Sequence, residues 1–215
     1  MSSDTLKLYE SAGSPNSRRV RIFLAEKSIC VTRVPVDLGA KEQASDAYIR
    51  INPRRVVPTL VLEDGEAIGE VPAIQRYLEE IHPGAPLLGA SAKEKARVAM
   101  WDRRMEQEGF AAVMETVRNT VAGLKGRAIA GPHDYEQIPA LVERGRKRIA
   151  DFYADLEARL APVAYVAGER FSVADITAVV AIDFATKALG LPVPDGNAAT
   201  RRWYDSVAAR PNYAA

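Results

Sequence analysis

The segment Ser14-Pro15-Asn16-Ser17 has residue types that can hold a negatively charged ligand. Serine is a favoured N-cap and proline suits the first helical position, so the segment predicts the start of a helix. The unpaired amides and the positive dipole end of a helix stabilise an anion, and they would lower the pKa of a bound thiol from its ordinary value of about 8.5. Two interpretations remain open: Ser14 only caps the helix, or its hydroxyl also donates a hydrogen bond to a bound sulfur.

A proline in an awkward position marks a second candidate site. Val56-Val57-Pro58-Thr59 lies at the start of what should be an interior strand, where proline is unfavourable because it has no N–H to donate. A special turn, such as one with a cis bond before Pro58, would leave the amide and carbonyl of Val57 free to pair with an extended ligand backbone. An ordinary trans proline that opens an edge strand is the alternative.

The third candidate site is Glu70 and Val71, which precede a predicted helix with Pro72 in its first turn. Amides at such a terminus can bind a ligand carboxylate, and Glu70 can pair with an ammonium group. Taken alone, Glu70 is equally well explained as a solvated acid favoured by the helix dipole. Together the three sites would contact a thiol, a peptide backbone and an amino-acid head group.

Hydrophobic patterning predicts the elements that position these sites. A strand at residues 6–8 leads into the helix after Pro15, and residues 30–36 are β-branched enough for a second strand. A β-hairpin over residues 58–68 precedes a helix over residues 71–81. The order β-α-β followed by β-β-α is that of an α/β thioredoxin-like domain.

The remainder of the chain predicts helices. A Pro/Gly-rich linker precedes a capping box of Ser91 and Glu94, which begins a long helix. An almost entirely apolar helix after Asp175 should lie at the centre of a bundle. The predicted organisation is a thioredoxin-like domain over residues 1–83, a linker over residues 84–91 and an all-α helical bundle over residues 92–215.

Composition excludes several classes of partner. The formal net charge is only +1, so no nucleic acid partner is expected, because such binding needs a strong basic excess. The longest apolar run, residues 176–182, is far shorter than the roughly 20 residues that span a bilayer, and no membrane partner is expected. The start MSSDTLKLYE lacks the features of a signal peptide, and one cysteine forms no internal disulfide. We therefore expect a cytoplasmic protein.

Several kinds of chemistry are also excluded by missing residues. There is no Cys-x-x-Cys pair for dithiol exchange, and Cys30 is interpreted as a small buried apolar residue at a strand start. No metal is expected, because His82 and His133 are the only histidines and neither has partners at ligand spacing. The chain has no Gly-x-Ser-x-Gly elbow and no glycine-rich nucleotide motif, so hydrolysis and nucleotide chemistry are set aside.

Four segments in the correct order resemble the glutathione S-transferase family, and the resemblance covers nearly the whole chain. SPNSRRVRIFLAEK is similar to the catalytic loop and first helix of bacterial cytosolic members with a theta- or zeta-like serine loop. INPRRVVPTLVLEDG resembles the family's Asn-Pro and Val-Pro segment, and GEVPAIQRYLEE its Glu-Ser-x-Ala-Ile helix. YVAGERFSVADITAVVAIDF resembles the capping-box core of the C-terminal domain.

The resemblance implies roles for the three candidate sites. Ser14 stands where the family carries its catalytic serine, and Asn16 is a second candidate to contact the sulfur of glutathione. Val57, before a proline that is cis in the family, would pair with the cysteinyl backbone of glutathione. Glu70 and the amide of Val71 would hold its γ-glutamyl end.

The resemblance also implies a transferase that uses glutathione as co-substrate, a small hydrophobic electrophile as its second substrate, a role in detoxification and a homodimeric assembly. The glycyl carboxylate of glutathione would be held by basic residues, for which the candidates are Lys41, Arg54 and Arg55. The electrophile would lie over the long helix, with lining candidates Trp101, Arg104 and Met105.

Three residues depart from the family pattern. Val71 replaces the usual serine and so removes a hydroxyl from the γ-glutamyl site. Arg55 stands where glycine is common and Val56 where lysine or glutamine is common, so the contacts to the glycyl carboxylate must differ. Modest glutathione affinity is predicted. A non-catalytic ligand- or protein-binding module and a glutathione-dependent isomerase, dehalogenase or peroxidase remain as alternatives.

Overall fold

The computed structural model describes residues 6–215. The first five residues of the segment MSSDTLKLYE, on which the expectation of no signal peptide rests, lie outside the described residues. Contacts group the chain into two compact units. The first unit contains the chain up to Ala85 together with residues 130–133 and the last residue, and the second contains Pro86–Ile129 and Asp134–Ala214. The predicted boundaries at residues 83 and 91 stay a prediction.

The first unit is built on a four-stranded mixed sheet. Its strands are β1 (Lys7–Glu10), β2 (Thr32–Pro35), β3 (Thr59–Val61) and β4 (Ala67–Ile68). The order across the sheet is β2-β1-β3-β4, in which β1 and β2 are parallel and the other two pairs are antiparallel. This is the predicted combination of a parallel pair with an antiparallel hairpin, and the thioredoxin-like fold class is confirmed.

Three helices accompany this sheet: α1 (Pro15–Glu26), α2 (Asp46–Ile51) and α3 (Val71–Ile81). Helix α1 packs against α3, and the apolar side chains of both are buried. Proline lies in the first turn of both helices, as the sequence predicted. The six-residue helix α2, capped by Ser45, was not predicted.

The second unit is helical. It contains α4 (Ala92–Arg104), α5 (Ala111–Thr120), α6 (Pro139–Leu160), α7 (Val173–Leu189) and α8 (Ala198–Ala208). A wide π-helical turn, Met105–Phe110, joins α4 to α5. Helix α6 packs there so closely that a Cβ on Gly109 would lie 2.6 Å from the Phe152 ring, so glycine is required at this contact.

Helix α7 is the centre of the second unit, as its apolar sequence predicted, because eleven of its side chains are buried. A capping box of Ser172 and Asp175 begins the helix. The Asp175 carboxylate is fully buried and also accepts hydrogen bonds from the Val166 amide at 2.8 Å and from Trp203 Nε1 at 2.9 Å. The helix start, a neighbouring loop and α8 are thus joined through one side chain.

One sequence expectation changes in the structure. Cys30 is exposed rather than buried, because it precedes β2, which is an edge strand with mostly exposed side chains. The stretch between α5 and α6 contains a short 3₁₀ turn, Ala122–Leu124, and a backbone bridge between Arg127 and Tyr135. No helix among the described residues is long and apolar enough to cross a membrane.

Candidate active site

Three segments of the first unit meet at one end of its sheet. Strand β1 ends at Glu10 beside the start of β3, since Tyr9 pairs with Thr59 in antiparallel register. Strand β4 is antiparallel to β3, with Ile68 opposite Leu60, and therefore runs towards the same end. The loop that follows β1, the turn that precedes β3 and the corner that follows β4 carry the three candidate sites.

Ser14 caps helix α1. Its backbone is extended, with φ −86° and ψ 121°, and its Oγ accepts a hydrogen bond from the Ser17 amide at 3.3 Å. Because the oxygen acts as an acceptor there, its hydroxyl hydrogen is directed elsewhere. Only 7 % of Ser14 is exposed, so a group bound against it would be largely shielded from water. The predicted cap is confirmed, and the sulfur contact stays a prediction.

The loop before Ser14 is held by a buried ion pair at the end of β1. Arg21 Nη1 lies 2.6 Å from Glu10 Oε2 and also donates to the carbonyl of Ser11 at 3.3 Å. Glu10 is only 4 % exposed and forms a second ion pair with Arg33. These contacts tie α1 to β1 and fix the conformation of the loop.

Asn16, the second sulfur candidate, is oriented by an arginine. Arg19 Nη1 donates a hydrogen bond to Asn16 Oδ1 at 3.3 Å, and Arg19 is 1 % exposed. Since a guanidinium only donates, this contact identifies the amide oxygen and directs the Asn16 NH₂ group away from Arg19. The amide therefore has two donors for another group.

The Val57-Pro58 bond is cis, as the first of the two sequence interpretations predicted. Residues buried beneath the turn hold it in place. The carbonyl of Val56 accepts hydrogen bonds from Tyr48 Oη at 2.6 Å and from Asn52 Nδ2 at 3.2 Å. Burial is the main cause that raises the pKa of Tyr48, so this side chain is a neutral donor at physiological pH.

The backbone of Val57 is left unpaired by this arrangement. Its side chain packs with Val36 and Tyr48, but within residues 6–215 neither its amide nor its carbonyl forms a hydrogen bond. A buried residue rarely leaves both backbone groups unpaired. An extended ligand can satisfy both by β-type pairing.

Glu70 has an unusual backbone conformation, with φ 63° and ψ 124°. Positive φ is unfavourable for a side chain other than glycine and costs on the order of 1–3 kcal/mol. The Glu70 side chain is exposed and forms no cap hydrogen bond, while the first turn of α3 presents the amide of the buried Val71. Asn52, which supports the proline turn, also lies near this corner, since its Nδ2 would be 3.8 Å from a Cβ built on Gly69.

The three basic candidates lie on two different loops. Arg54 and the half-buried Arg55 belong to the turn before Val57, and Arg55 has a positive φ of 55°. Lys41 lies on the separate loop before α2. Within the described residues, the side chains of Lys41 and Arg54 form no hydrogen bond or ion pair, and their role towards a carboxylate stays a prediction.

The three electrophile candidates lie at the end of α4 in the second unit. Trp101 is half-buried between two guanidinium groups, with Arg104 Cζ at 4.6 Å and Arg159 Cζ at 4.3 Å from its ring centroid. Met105 is 2 % exposed and packs in the core of this unit. The lining role of all three stays a prediction, and the burial of Met105 favours packing.

Several residues that shape the site were not singled out from the sequence. Asn52 belongs to the Asn-Pro pair of a segment that resembled the family, and this was the one available signal. Tyr48 and Arg19 gave no comparable signal, because their importance depends on which buried groups they contact.

A thioredoxin-like unit with a serine-capped first helix and a cis-proline turn, followed by a helical unit, has the architecture of glutathione transferases. Models of the glutathione S-transferase N-terminal and C-terminal domains match residues 8–86 and 139–206. The chain is 32 % identical to glutathione S-transferase 2 of Saccharomyces cerevisiae over 207 residues, which cover 95 % of this chain and 86 % of that protein. The chain belongs to the glutathione S-transferase family.

Two further similarities refine this placement. A crystal structure of a glutathione S-transferase domain-containing protein from Marinobacter aquaeolei VT8 superposes with a TM-score of 0.88 at 36 % identity, over 96 % of this chain and 99 % of that one. Maleylacetoacetate isomerase of Pseudomonas aeruginosa is 39 % identical over 94 residues, which are 43 % of this chain and 44 % of that protein. The family thus includes relatives with different reactions.

Proposed function

We propose that this protein is a glutathione transferase, in which the first unit binds glutathione at one end of its sheet and activates the thiol as a thiolate. The observation that carries the proposal is the unpaired backbone of Val57 at the cis-proline turn. It offers one donor and one acceptor to a peptide backbone, in a fold where the start of α1 and Glu70 lie at the same end of the sheet.

Glutathione would pair its cysteinyl backbone with Val57. Its γ-glutamyl ammonium group would approach the exposed carboxylate of Glu70, and its γ-glutamyl carboxylate the amide of Val71. The cysteinyl sulfur would then lie towards the start of α1. Because Val71 has no hydroxyl, one hydrogen bond to the carboxylate is missing and affinity is modest.

The thiol of glutathione loses its proton to solvent, and the thiolate is stabilised by the positive end of α1, the hydroxyl of Ser14 and the amide NH₂ of Asn16. The sulfur then donates its electron pair to an electrophilic carbon and a C–S bond forms. In a substitution the leaving group departs with the bonding pair, and in an addition the resulting carbanion takes a proton from water. A small hydrophobic electrophile is the second substrate.

The same thiolate supports a second candidate function, which the similarity to maleylacetoacetate isomerase favours. Reversible addition of the thiolate to an activated cis double bond permits rotation, and elimination regenerates glutathione. An isomerase therefore turns over without consuming thiol, whereas a transferase consumes one thiol per product.

Glutathione titrated by calorimetry, with the ultraviolet absorbance of the thiolate followed against pH, tests the proposal. The expected result is binding in the millimolar range or tighter and a bound thiol with a pKa below that of free glutathione. Absence of binding at millimolar glutathione would overturn the proposal. Binding with an unshifted thiol pKa and no turnover would instead indicate a non-catalytic binding module.

A further inference from the structure

Gln75 is a buried polar residue of the first unit whose side-chain amide has no partner. It lies in the second turn of α3 and is 0 % exposed. Within residues 6–215, neither its nitrogen Nε2 nor its oxygen Oε1 forms a hydrogen bond. A buried amide without a partner costs free energy, and most such groups in folded proteins are paired, so this one calls for an explanation.

The helix face that carries Gln75 leads to the start of α3. Gln75 follows Val71 by four residues, and both belong to the buried face of the helix. Residues four apart lie on the same face, about 6 Å apart along the axis. Because helical side chains lean towards the N-terminus, the Gln75 amide is directed towards Val71 and the first turn.

The first turn of α3 has few free donors for a ligand. Pro72 has no N–H, and the amides of Ala73 and Ile74 both donate to the Glu70 carbonyl, at 3.1 and 3.0 Å. Among the residues that the structure describes, the amide of Val71 is therefore the one free backbone donor of this turn. The Val71 side chain adds none. A carboxylate has two oxygens that each accept hydrogen bonds, so a single donor leaves it incompletely paired.

The groups that Gln75 offers are complementary to those that a ligand at this helix start would need. Its Nε2 can donate two hydrogen bonds, and its Oε1 can accept two. An amino-acid head group presents a carboxylate, which needs donors, and an ammonium group, which needs acceptors. Glutathione has such a head group at its γ-glutamyl end, which the proposed function places at Glu70 and Val71.

We propose that Gln75 is part of the γ-glutamyl site and that its amide donates a hydrogen bond to the γ-glutamyl carboxylate, beside the amide of Val71. This inference rests on the proposed function, because it takes glutathione as the ligand. Gln75 supplies, from one turn further along α3, a donor in place of part of what a hydroxyl at residue 71 would provide.

The proposal also gives the unpaired amide a cost and a use. Because the amide is enclosed in the free protein, glutathione binding requires a change of rotamer of Gln75 towards the helix start. The amide is then unpaired in the free protein and paired in the complex. The same group therefore lowers the stability of the free protein and adds to its affinity for glutathione.

Gln75→Met tests both effects, because it keeps an unbranched side chain and removes its hydrogen-bonding groups. Loss of a hydrogen bond to a charged group should weaken glutathione binding by about 10- to 100-fold, measured by amide chemical-shift titration of the full-length protein. The variant should also unfold at a higher urea concentration than the wild type, because an unpaired buried amide is gone. Gln75→Leu should repeat both shifts. Gln107→Met, at an exposed position of the π-helical turn, should leave glutathione affinity unchanged.

An analogue of glutathione without the γ-glutamyl carboxylate, γ-aminobutyryl-cysteinyl-glycine, identifies the group that Gln75 contacts. Its affinity should be the same for the wild type and for Gln75→Met. Unchanged glutathione affinity in both Gln75 variants, or an equal loss for glutathione and the analogue, would overturn the proposal. A lower urea midpoint in both variants would overturn it too, since the amide would then have a partner in the free protein, such as an internal water.

These outcomes are distinguishable from a failure of the proposed function. A wild-type protein that does not bind glutathione would overturn the proposed function together with this inference. A wild-type protein that binds glutathione, with Gln75 variants of equal affinity, would overturn the role of Gln75 alone.

Discussion

The buried guanidinium of Arg19 donates a hydrogen bond to the side-chain oxygen of Asn16, with 3.3 Å between Nη1 and Oδ1. Arg19 and Asn16 are one turn apart on α1, so the guanidinium lies beside the amide that it orients. The arrangement directs the donor end of the amide away from the arginine, and the proposed function uses that end to stabilise sulfur.

Replacement of Asn16 tests this use of the amide. Asn16→Ala removes a donor to the thiolate and should lower kcat/KM by about 10- to 100-fold, because a hydrogen bond to a charged group contributes about 1.5–3 kcal/mol. It should also raise the pKa of the bound thiol. Turnover and thiolate absorbance against pH are the two measurements.

Two variants control this experiment. Ser14→Ala removes the other proposed donor and should act in the same direction, whereas Asn212→Ala, far along the chain, should change neither quantity. Unchanged turnover and thiol pKa in both the Ser14 and the Asn16 variants would eliminate these residues from the mechanism.

The corner at Glu70 predicts changes in glutathione affinity. Val71→Ser restores a hydroxyl at the start of α3 and should strengthen glutathione binding several-fold, because it adds a hydrogen bond to a carboxylate. Glu70→Gln should weaken binding by about tenfold through loss of the charge that faces the ammonium group. Calorimetric titration measures both effects, with Glu66→Gln in the exposed hairpin turn as the matched control. A Val71→Ser variant that binds no better would contradict this account of the corner.

Asn52 should contribute to the stability of the first unit. Asn52→Ala removes the donors to the Val56 carbonyl at 3.2 Å and to Thr59 Oγ1 at 2.8 Å, and should lower the free energy of unfolding by about 2–3 kcal/mol. Asn52→Asp keeps the acceptor for the Arg54 amide but sets a carboxylate against the carbonyl, so it should be at least as damaging. Urea denaturation measures stability, and a loss below 0.5 kcal/mol in both variants would show that the turn does not depend on Asn52.

Asp175 should make the stability of the second unit depend on pH. Burial raises the pKa of Asp175 to about 6, although its hydrogen bonds act in the opposite direction. Because the pKa in the folded state exceeds that of an unfolded aspartate, about 3.9, protonation favours the folded state. The contribution of this carboxyl to stability is therefore greatest below pH 4, declines between pH 4 and 6 and is constant above pH 6, with a total change of about 3 kcal/mol.

The comparison that isolates this effect is the wild-type protein against Asp175→Asn, which cannot titrate. The difference in free energy of unfolding between the two, wild type minus variant, should fall from pH 4 to 6 and then remain level. A difference that rises over this interval would refute the assignment. Asp175→Asn should also be destabilised by several kcal/mol at pH 7, because an amide cannot accept all the donors that converge on the carboxylate.

Local signals predicted much of the fold. Pro72 and the His-Pro-Gly sequence after residue 81 define both ends of α3, and the hairpin over residues 58–68 was predicted from its turn residues. Such features act over a few residues and do not depend on distant contacts. The turn at Pro58 was marked by the proline itself, but the residues alone left a cis and a trans bond before it as alternatives.

Features that depend on tertiary contacts were missed. Cys30 was expected to be buried, but the pattern of a short strand does not show that it lies at the edge of a sheet. The role of Asn52 depends on Tyr48 and Thr59, which approach it only after folding. The π-helical turn at Met105–Phe110, which α6 approaches closely at Gly109, was likewise not indicated by any spacing within that segment.

The exposure of Cys30 also gives the chain a unique attachment point. As the sole cysteine, it would direct a thiol-specific fluorophore to one position beside the edge strand of the first unit, without any substitution. The unmodified sequence is therefore suited to single-molecule spectroscopy with one dye at this defined position.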